Sequence, residues 1–253
     1  MRWIDWMSDW VSHRCNGSIA ARVGIHTAII ALALSIPAFA QAPAAPASRF
    51  VVVLDAAHGG DDPGGSLRDS SGAVQPEKAI TLALSVRLRS LLAARGIAVV
   101  TTRESDTSVD TGRRSEIANR ANAQACISLH ASQSGTGIHL FSSSLALAEP
   151  ARFVPWKTAQ AAWVTRSLAL AGVLNSALLH AGMTVTLGRT SLPAIDSMTC
   201  PAVAIEIASE ITADKAQSIG PGDAGYQARV TQALAAAILE WRTSATRTEA
   251  PHP

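Results

Sequence analysis

Val51-Val52-Val53-Leu54-Asp55-Ala56-Ala57-His58-Gly59-Gly60 reads as a buried strand that stops on a histidine backed by two glycines. The pattern recurs twice. Cys126-Ile127-Ser128-Leu129-His130 is a second short apolar run ending on His, and Pro201-Ala202-Val203-Ala204-Ile205-Glu206 is a third, ending on a carboxylate. Helical patterns lie between them. Ile80, Leu84, Leu88, Leu91 and Leu92 share one face at 3.6-residue spacing; Glu77 opens that helix and Gly96 stops it. Further helices are predicted over 112–123, 159–181 and 224–242, and further strands over 97–102 and 137–141. Strands alternating with helices predict an α/β fold: a single domain with a mainly parallel, twisted sheet flanked by helices on both faces.

The chain has 253 residues, 48% of them hydrophobic, and a formal net charge of +2. That is a globular composition without the basic field a nucleic-acid partner requires. The first forty residues read as an export signal. Arg2, Arg14 and Arg22 precede an apolar run from Thr27 to Ile36, and Pro37-Ala38-Phe39-Ala40 supplies an A-x-A cleavage site. The stretch before the apolar run is long and carries Trp3, Trp6 and Trp10, so retention as an anchor stays open. Residues 41–49 form a Pro/Ala linker, 50–243 the catalytic domain and 244–253 a flexible tail. The expected location is outside the cytoplasm, in the periplasm or cell wall. Cys126 and Cys200 each sit just before a site-bearing strand. Oxidation to a bridge is open to an exported protein, but the sequence favours two buried small hydrophobes.

Ligand sites of open α/β sheets lie outside the C-terminal ends of the strands. His58, His130 and Glu206 all end strands, so all three reach one sheet edge. A catalytic zinc needs three protein ligands and one open position. Glu77 is the natural third ligand beside His58 and His130, because the loop that His58 begins can fold back and deliver it. Glu206 then remains as the general base. Glu77 could equally be an acid favoured by a helix N-terminus. Glu206 has the fewest bland explanations, since an acid after Ala-Val-Ala-Ile in a buried strand is costly unless paired or functional. His139 alternates with Ile138 and Leu140 and is expected to face outward. His180 suits a helix C-terminus. No GxSxG elbow, HExxH helix, P-loop or GxGxxG turn is present.

The same residues resemble a known family over about residues 50–240. Val52 to Gly64 is similar to the V-hydrophobic-D-P-G-H-G-G-x-D-P-G opening of the zinc-dependent N-acetylmuramoyl-L-alanine amidases of the amidase_3 group. Pro76-Glu77-Lys78 resembles its E-K turn, and Thr102-Arg103 with Asp106 its T-R-x-x-D. Arg114, Ala118 and Asn119, then Ile127 to Ala131, resemble its R-(x)3-A-N and S-hydrophobic-H-A elements. Pro201 to Glu206 resembles its last strand. The resemblance implies Zn2+ held by His58, Glu77 and His130, a catalytic Glu206, and cleavage of the amide between muramic-acid lactyl group and L-alanine in peptidoglycan. It also implies a monomer, with an activator protein as a further partner where a helix plugs the site. The segment 143–165 lies where such an insertion would sit, and its pattern fits a plain surface helix equally well. A zinc peptidase on other exported substrates, or a non-catalytic wall-binding regulator, are the alternatives. The departures are Ala56-Ala57 for Pro-Gly, a longer loop from His58 to Glu77, Ser132 for Asn, and Ile207 to Thr212 for the motif after the last Glu.

Overall fold

The three apolar runs become neighbouring strands, but two run on past their expected ends, the second to Thr136 and the third to Ile211, so His130 and Glu206 lie within strands and only His58 follows a strand end. The computed structural model describes residues 49–68, 72–147, 155–211 and 218–248; the expected signal, linker residues 41–48 and residues 249–253 of the expected tail lie outside them. In chain order the elements are β1 (Val51–Ala56), β2 (Ser66–Arg68), β3 (Val74–Pro76), α1 (Glu77–Ala93), β4 (Ala98–Thr101), α2 (Thr111–Arg120), β5 (Ala125–Thr136) and β6 (Ile138–Ser143). A 3-10 turn (Trp156–Ala162), α3 (Val164–His180), β7 (Val185–Thr190), α4 (Pro193–Asp196), β8 (Ala202–Ile211), β9 (Ser218–Ile219) and α5 (Ala224–Thr248) follow. The sheet runs β4-β1-β5-β8-β6-β7, with β9 beside β8. Its pairs are parallel except β8 with β6 and with β9.

Strand alternation sorts the core into two layers. Val52, Leu54, Ile127, Leu129, Val203 and Ile205 face the helix layer built by α1, α3 and α5. Ile80, Leu84, Leu88 and Leu92 give α1 its buried stripe, each contributing roughly 2 kcal/mol of apolar burial. Val53, Cys126, Ala202 and Ala204 face the other way, against Ala118 of α2 and Ile195 of α4. The small residues of this second layer let α2 and α4 lie close to the sheet beside the site.

Several local features differ from the sequence reading. Cys126 and Cys200 are joined by a disulfide, with Cα atoms 6.2 Å apart. Cys126 is in register with Ala202, so the residue two before it on β8 lies within bridging reach. The loop after His58 contains the antiparallel β2–β3 hairpin. The helix expected over 159–181 is split at Trp163 into a 3-10 turn and α3. Edge strand β7 and short α4 carry too weak a periodicity to be read, and α5 continues through Thr248, into the expected tail.

Candidate metal centre

Glu77 reaches the site because its loop is pinned. In the β2–β3 hairpin Ser66 pairs with Pro76, which sets Gly65 beside Glu77. The Glu77 amide donates to the Gly65 carbonyl at 2.8 Å, and the Lys78 amide to that of Pro63 at 3.1 Å. Lys78 Nζ donates to the Gly60 carbonyl and pairs with Asp106, both at 2.7 Å; Asp106 also accepts from the Gly60 amide at 2.8 Å. Gly64, at φ 65°, passes so close that a β-carbon would lie 2.7 Å from both Glu77 Oε2 and His58 Cδ2.

His58, Glu77 and His130 converge: one ligand atom from each lies within 4.8 Å of the others. His58 Nε2 is 3.1 Å from Glu77 Oε2, and His130 Nδ1 is 3.3 Å from Glu77 Oε1. Tetrahedral zinc with bonds of about 2.0–2.1 Å sets its ligand atoms about 3.3 Å apart, and each histidine lies at about that spacing from one of the two Glu77 oxygens. Two imidazoles and a carboxylate are a zinc donor set. The remaining nitrogens are also engaged. His58 Nδ1 lies 2.8 Å from Asp62 Oδ2, so Nδ1–H donates to the carboxylate and Nε2 keeps its lone pair for a metal. His130 Nε2 is 3.4 Å from Ser128 Oγ, and Ser128 donates to Asp55 Oδ2 at 2.7 Å.

The charges suit a cation. Burial pushes the Glu77 carboxyl up, but the hydrogen bonds from His130 and from the Gly65 and Ala131 amides outweigh it. The group ends below the ordinary carboxylate range and is ionised at neutral pH. The hydrogen bond from His58, then the Gly64 amide, likewise hold Asp62 low.

Beneath the centre lies a buried polar network. Asp55 accepts from Thr102 Oγ1 at 2.7 Å, Ser128 Oγ at 2.7 Å and Arg114 Nη1 at 2.6 Å. Arg114 also donates to the carbonyls of Ala56 (2.7 Å) and His58 (2.8 Å). Arg103 donates to those of Ala56 (2.9 Å), Ala57 (3.0 Å) and Lys78 (2.7 Å). The two guanidiniums therefore grip the turn that presents His58. The left-handed angle falls on His58 itself, at φ 62°, and Gly59 and Gly60 follow at 130° and 61°. Ala57 keeps an ordinary backbone, so the glycine missing before His58 costs nothing there. A left-handed histidine is a strained residue that its surroundings must hold.

Glu206 follows from register. It is the parallel partner of His130 on β5 and the antiparallel partner of His139 on β6. Register partners project to the same sheet face, so His130, Glu206 and His139 form one row across three strands. His139 thus stands on the site face, not on an outer one. Its ring stacks on Phe141 at 6.3 Å, and among the described residues neither that ring nor the Glu206 carboxylate makes a side-chain hydrogen bond. His180 caps its own helix, its Nδ1 2.9 Å from the Ser176 carbonyl. Sequence reasoning passed over Asp62, Ser128, Asp55, Arg114 and Arg103 as functional groups. The two acids stand in the opening motif, but only the fold shows what they touch.

A cavity of about 520 Å³ opens onto His58 and His130 between the start of α2 and α4. A larger one, about 840 Å³, follows the outer face of α1 past Leu82 and Val86. That groove is mostly aliphatic and carries no imidazole, so the smaller cavity is the candidate site.

Comparison with known proteins agrees with this geometry. The sequence profile of the Amidase_3 family, N-acetylmuramoyl-L-alanine amidase, matches residues 52–240. The chain is 41% identical over 81 residues to the amidase AmiA of Escherichia coli, a match covering 32% of this chain and 27% of that protein. It is 32% identical over 112 residues to AmiC of Neisseria meningitidis, covering 42% of this chain and 26% of that one. The matches thus span about a quarter of these relatives' length. The catalytic domain of CwlV from Bacillus (Paenibacillus) polymyxa superposes with a TM-score of 0.57 at 25% identity, covering 77% of this chain and 98% of that domain. A profile match across the strand that leads to His58, the strand that carries His130, the Glu77 helix and the Glu206 strand, on a shared fold, establishes membership: the chain belongs to the N-acetylmuramoyl-L-alanine amidase family.

Proposed function

We propose that this protein is an exported, zinc-dependent amidase that hydrolyses the bond between the muramic-acid lactyl group and L-alanine in peptidoglycan. The observation that carries the reading is the convergence of His58, Glu77 and His130 with Glu206 in register beside His130. His58, Glu77 and His130 would hold the metal. Zinc, when bound, supplies Lewis acidity toward the substrate carbonyl and toward water. Glu206 takes a proton from the attacking water as the new C–O bond forms. It returns that proton to the alanine nitrogen as the C–N bond breaks, so one carboxylate serves as base and then as acid. Asp62 and the Ser128–Asp55 pair fix the tautomers and ring planes of the two histidines. The buried Arg103 and Arg114 hold the backbone that presents them.

The test is digestion of purified sacculi by the zinc-loaded protein, with products read by mass spectrometry. The expected products are stem peptides with a free L-alanine amino group and glycan with a free lactyl carboxylate. Glu206→Gln should keep its zinc and lose at least about a hundredfold in rate. His58→Ala should lose the metal. Failure to release stem peptides at any zinc concentration would overturn the reading, and new peptide carboxylates would point to a peptidase.

A further inference from the structure

Trp156 is 63% exposed and begins the 3-10 turn before α3. A single exposed aromatic is ordinary on a protein surface, but the setting of this one is specific. Two depressions, of about 350 and 370 Å³, meet at its ring. The first shares Thr111 and Pro193 with the cavity that holds His58 and His130. The outer depressions therefore form a trough that runs from this shared rim, between the start of α2 and α4, to the indole. Gly112 and Ser197 line both outer depressions, and such short residues keep the trough open.

The chemistry of the trough selects its occupant. Its carboxylates are already committed: Glu116 is bound by Arg113 and Arg120, and buried Asp196 accepts from Ser143 and from the Leu192 amide. What remains to meet a ligand is the free side of a flat apolar ring and the Thr111 hydroxyl, with Ser191 as an acceptor, since its hydroxyl already donates to Asp196. Lys157 Nζ sits 5.5 Å from the centre of that ring and occupies one face. A hydroxyl-bearing ligand with a flat C–H face matches this surface. Resting on the muramoyl-amide reading above, we propose that Trp156 ends a saccharide subsite. It would stack an N-acetylhexosamine of the glycan strand, away from the bond being cut.

The experiment compares two substrates with the same stem peptide, one on a single N-acetylmuramoyl unit and one on a tetrasaccharide. The readout is the ratio of their kcat/KM values. Wild type should prefer the tetrasaccharide, and Trp156→Ala should reduce that preference about tenfold, mainly through KM. Trp156→Tyr should restore most of it, which a merely structural role would not. In parallel, calorimetry with a peptide-free N-acetylglucosamine tetramer should show binding to wild type and about tenfold weaker binding to Trp156→Ala. An unchanged preference, or a loss that follows stem-peptide length at fixed sugar number, would overturn the proposal. If wild type cleaves neither substrate, the amidase reading fails, and the tetramer titration alone decides whether the saccharide site exists.

Discussion

Replacing Cys126 and Cys200 together by alanine removes the covalent tie between the start of β5 and the start of β8. The bridge closes a loop with a sequence separation of 74 residues. A loop of that length costs the unfolded chain about 4 kcal/mol of conformational freedom at 25 °C. Both sulfurs are buried, at 1% exposure, so each alanine also leaves a small void worth roughly 1 kcal/mol. The expected loss is therefore about 4–6 kcal/mol, against a total of about 5–15 for a domain. The assay is equilibrium urea unfolding followed by circular dichroism. With a slope of about 2 kcal/mol/M, the midpoint should fall by roughly 2–3 M. Wild type unfolded in the presence of reductant keeps every sulfur atom and should show the loop contribution alone, roughly 2 M. The strands tied here carry His130 and Glu206 as register partners. Variant that is folded should therefore still bind zinc, because the rest of the β5–β8 ladder holds that register. A midpoint shift below about 0.5 M in both experiments would refute the reasoning, and would mean that the unfolded chain is already constrained without the bridge.

Arg114→Met strands the buried Asp55 carboxylate with only two hydroxyl partners, and should cost about 3–5 kcal/mol in urea unfolding of chelator-treated protein. Gly64→Ala forces a β-carbon against Glu77 and His58, and should weaken zinc binding about 10- to 100-fold in competition with a chromophoric chelator. Burial, then the charge of Glu210, push the Tyr226 hydroxyl well above its ordinary value of 10.0, while it donates to the Ala208 carbonyl. Its contribution is whole below about pH 10 and falls as the unfolded chain ionises first above that pH. Tyr226→Phe should thus lose about 1 kcal/mol at neutral pH, and its stability should fall less steeply with alkali in thermal melts.

The layered sheet was legible because burial dictates it. Runs such as Val51 to Leu54 and Ala202 to Ile205 are apolar on both faces, which only a strand covered on both sides allows. The α1 stripe was legible for the same reason, and Gly96 marks its stop at φ 72°. Elements with little to bury left no such trace. Edge strand β7 is mostly exposed and α4 is a single turn. The β2–β3 hairpin buries only Leu67. The disulfide was illegible for a different reason. Pairing depends on the register of β5 against β8, strands about 74 residues apart, and no local pattern encodes it.

The site divides along the same line. The ends of apolar runs announce His58, His130 and Glu206, because a polar group closing such a run is conspicuous, although β5 and β8 themselves continue past the last two. Glu77 was reachable only by supposing that its loop folds back, which the Gly65 and Pro63 carbonyls make concrete. Alternation correctly put His139 opposite Ile138 and Leu140, but it could not say which sheet face carries the chemistry; β6 pairing with β8 decides that. The residue before His58 shows most clearly why a motif is not yet a structure. Losing a glycine at Ala57 looks damaging while the special backbone angle is assigned to that position. The angle belongs to His58, and Arg103 and Arg114 hold the carbonyls of Ala56, Ala57 and His58 around it. The strain is therefore carried by two buried guanidiniums far from His58 in sequence, one of them paired with Asp55. It follows that substitutions at Arg103 or Arg114 should disturb metal binding more than Ala57→Gly does.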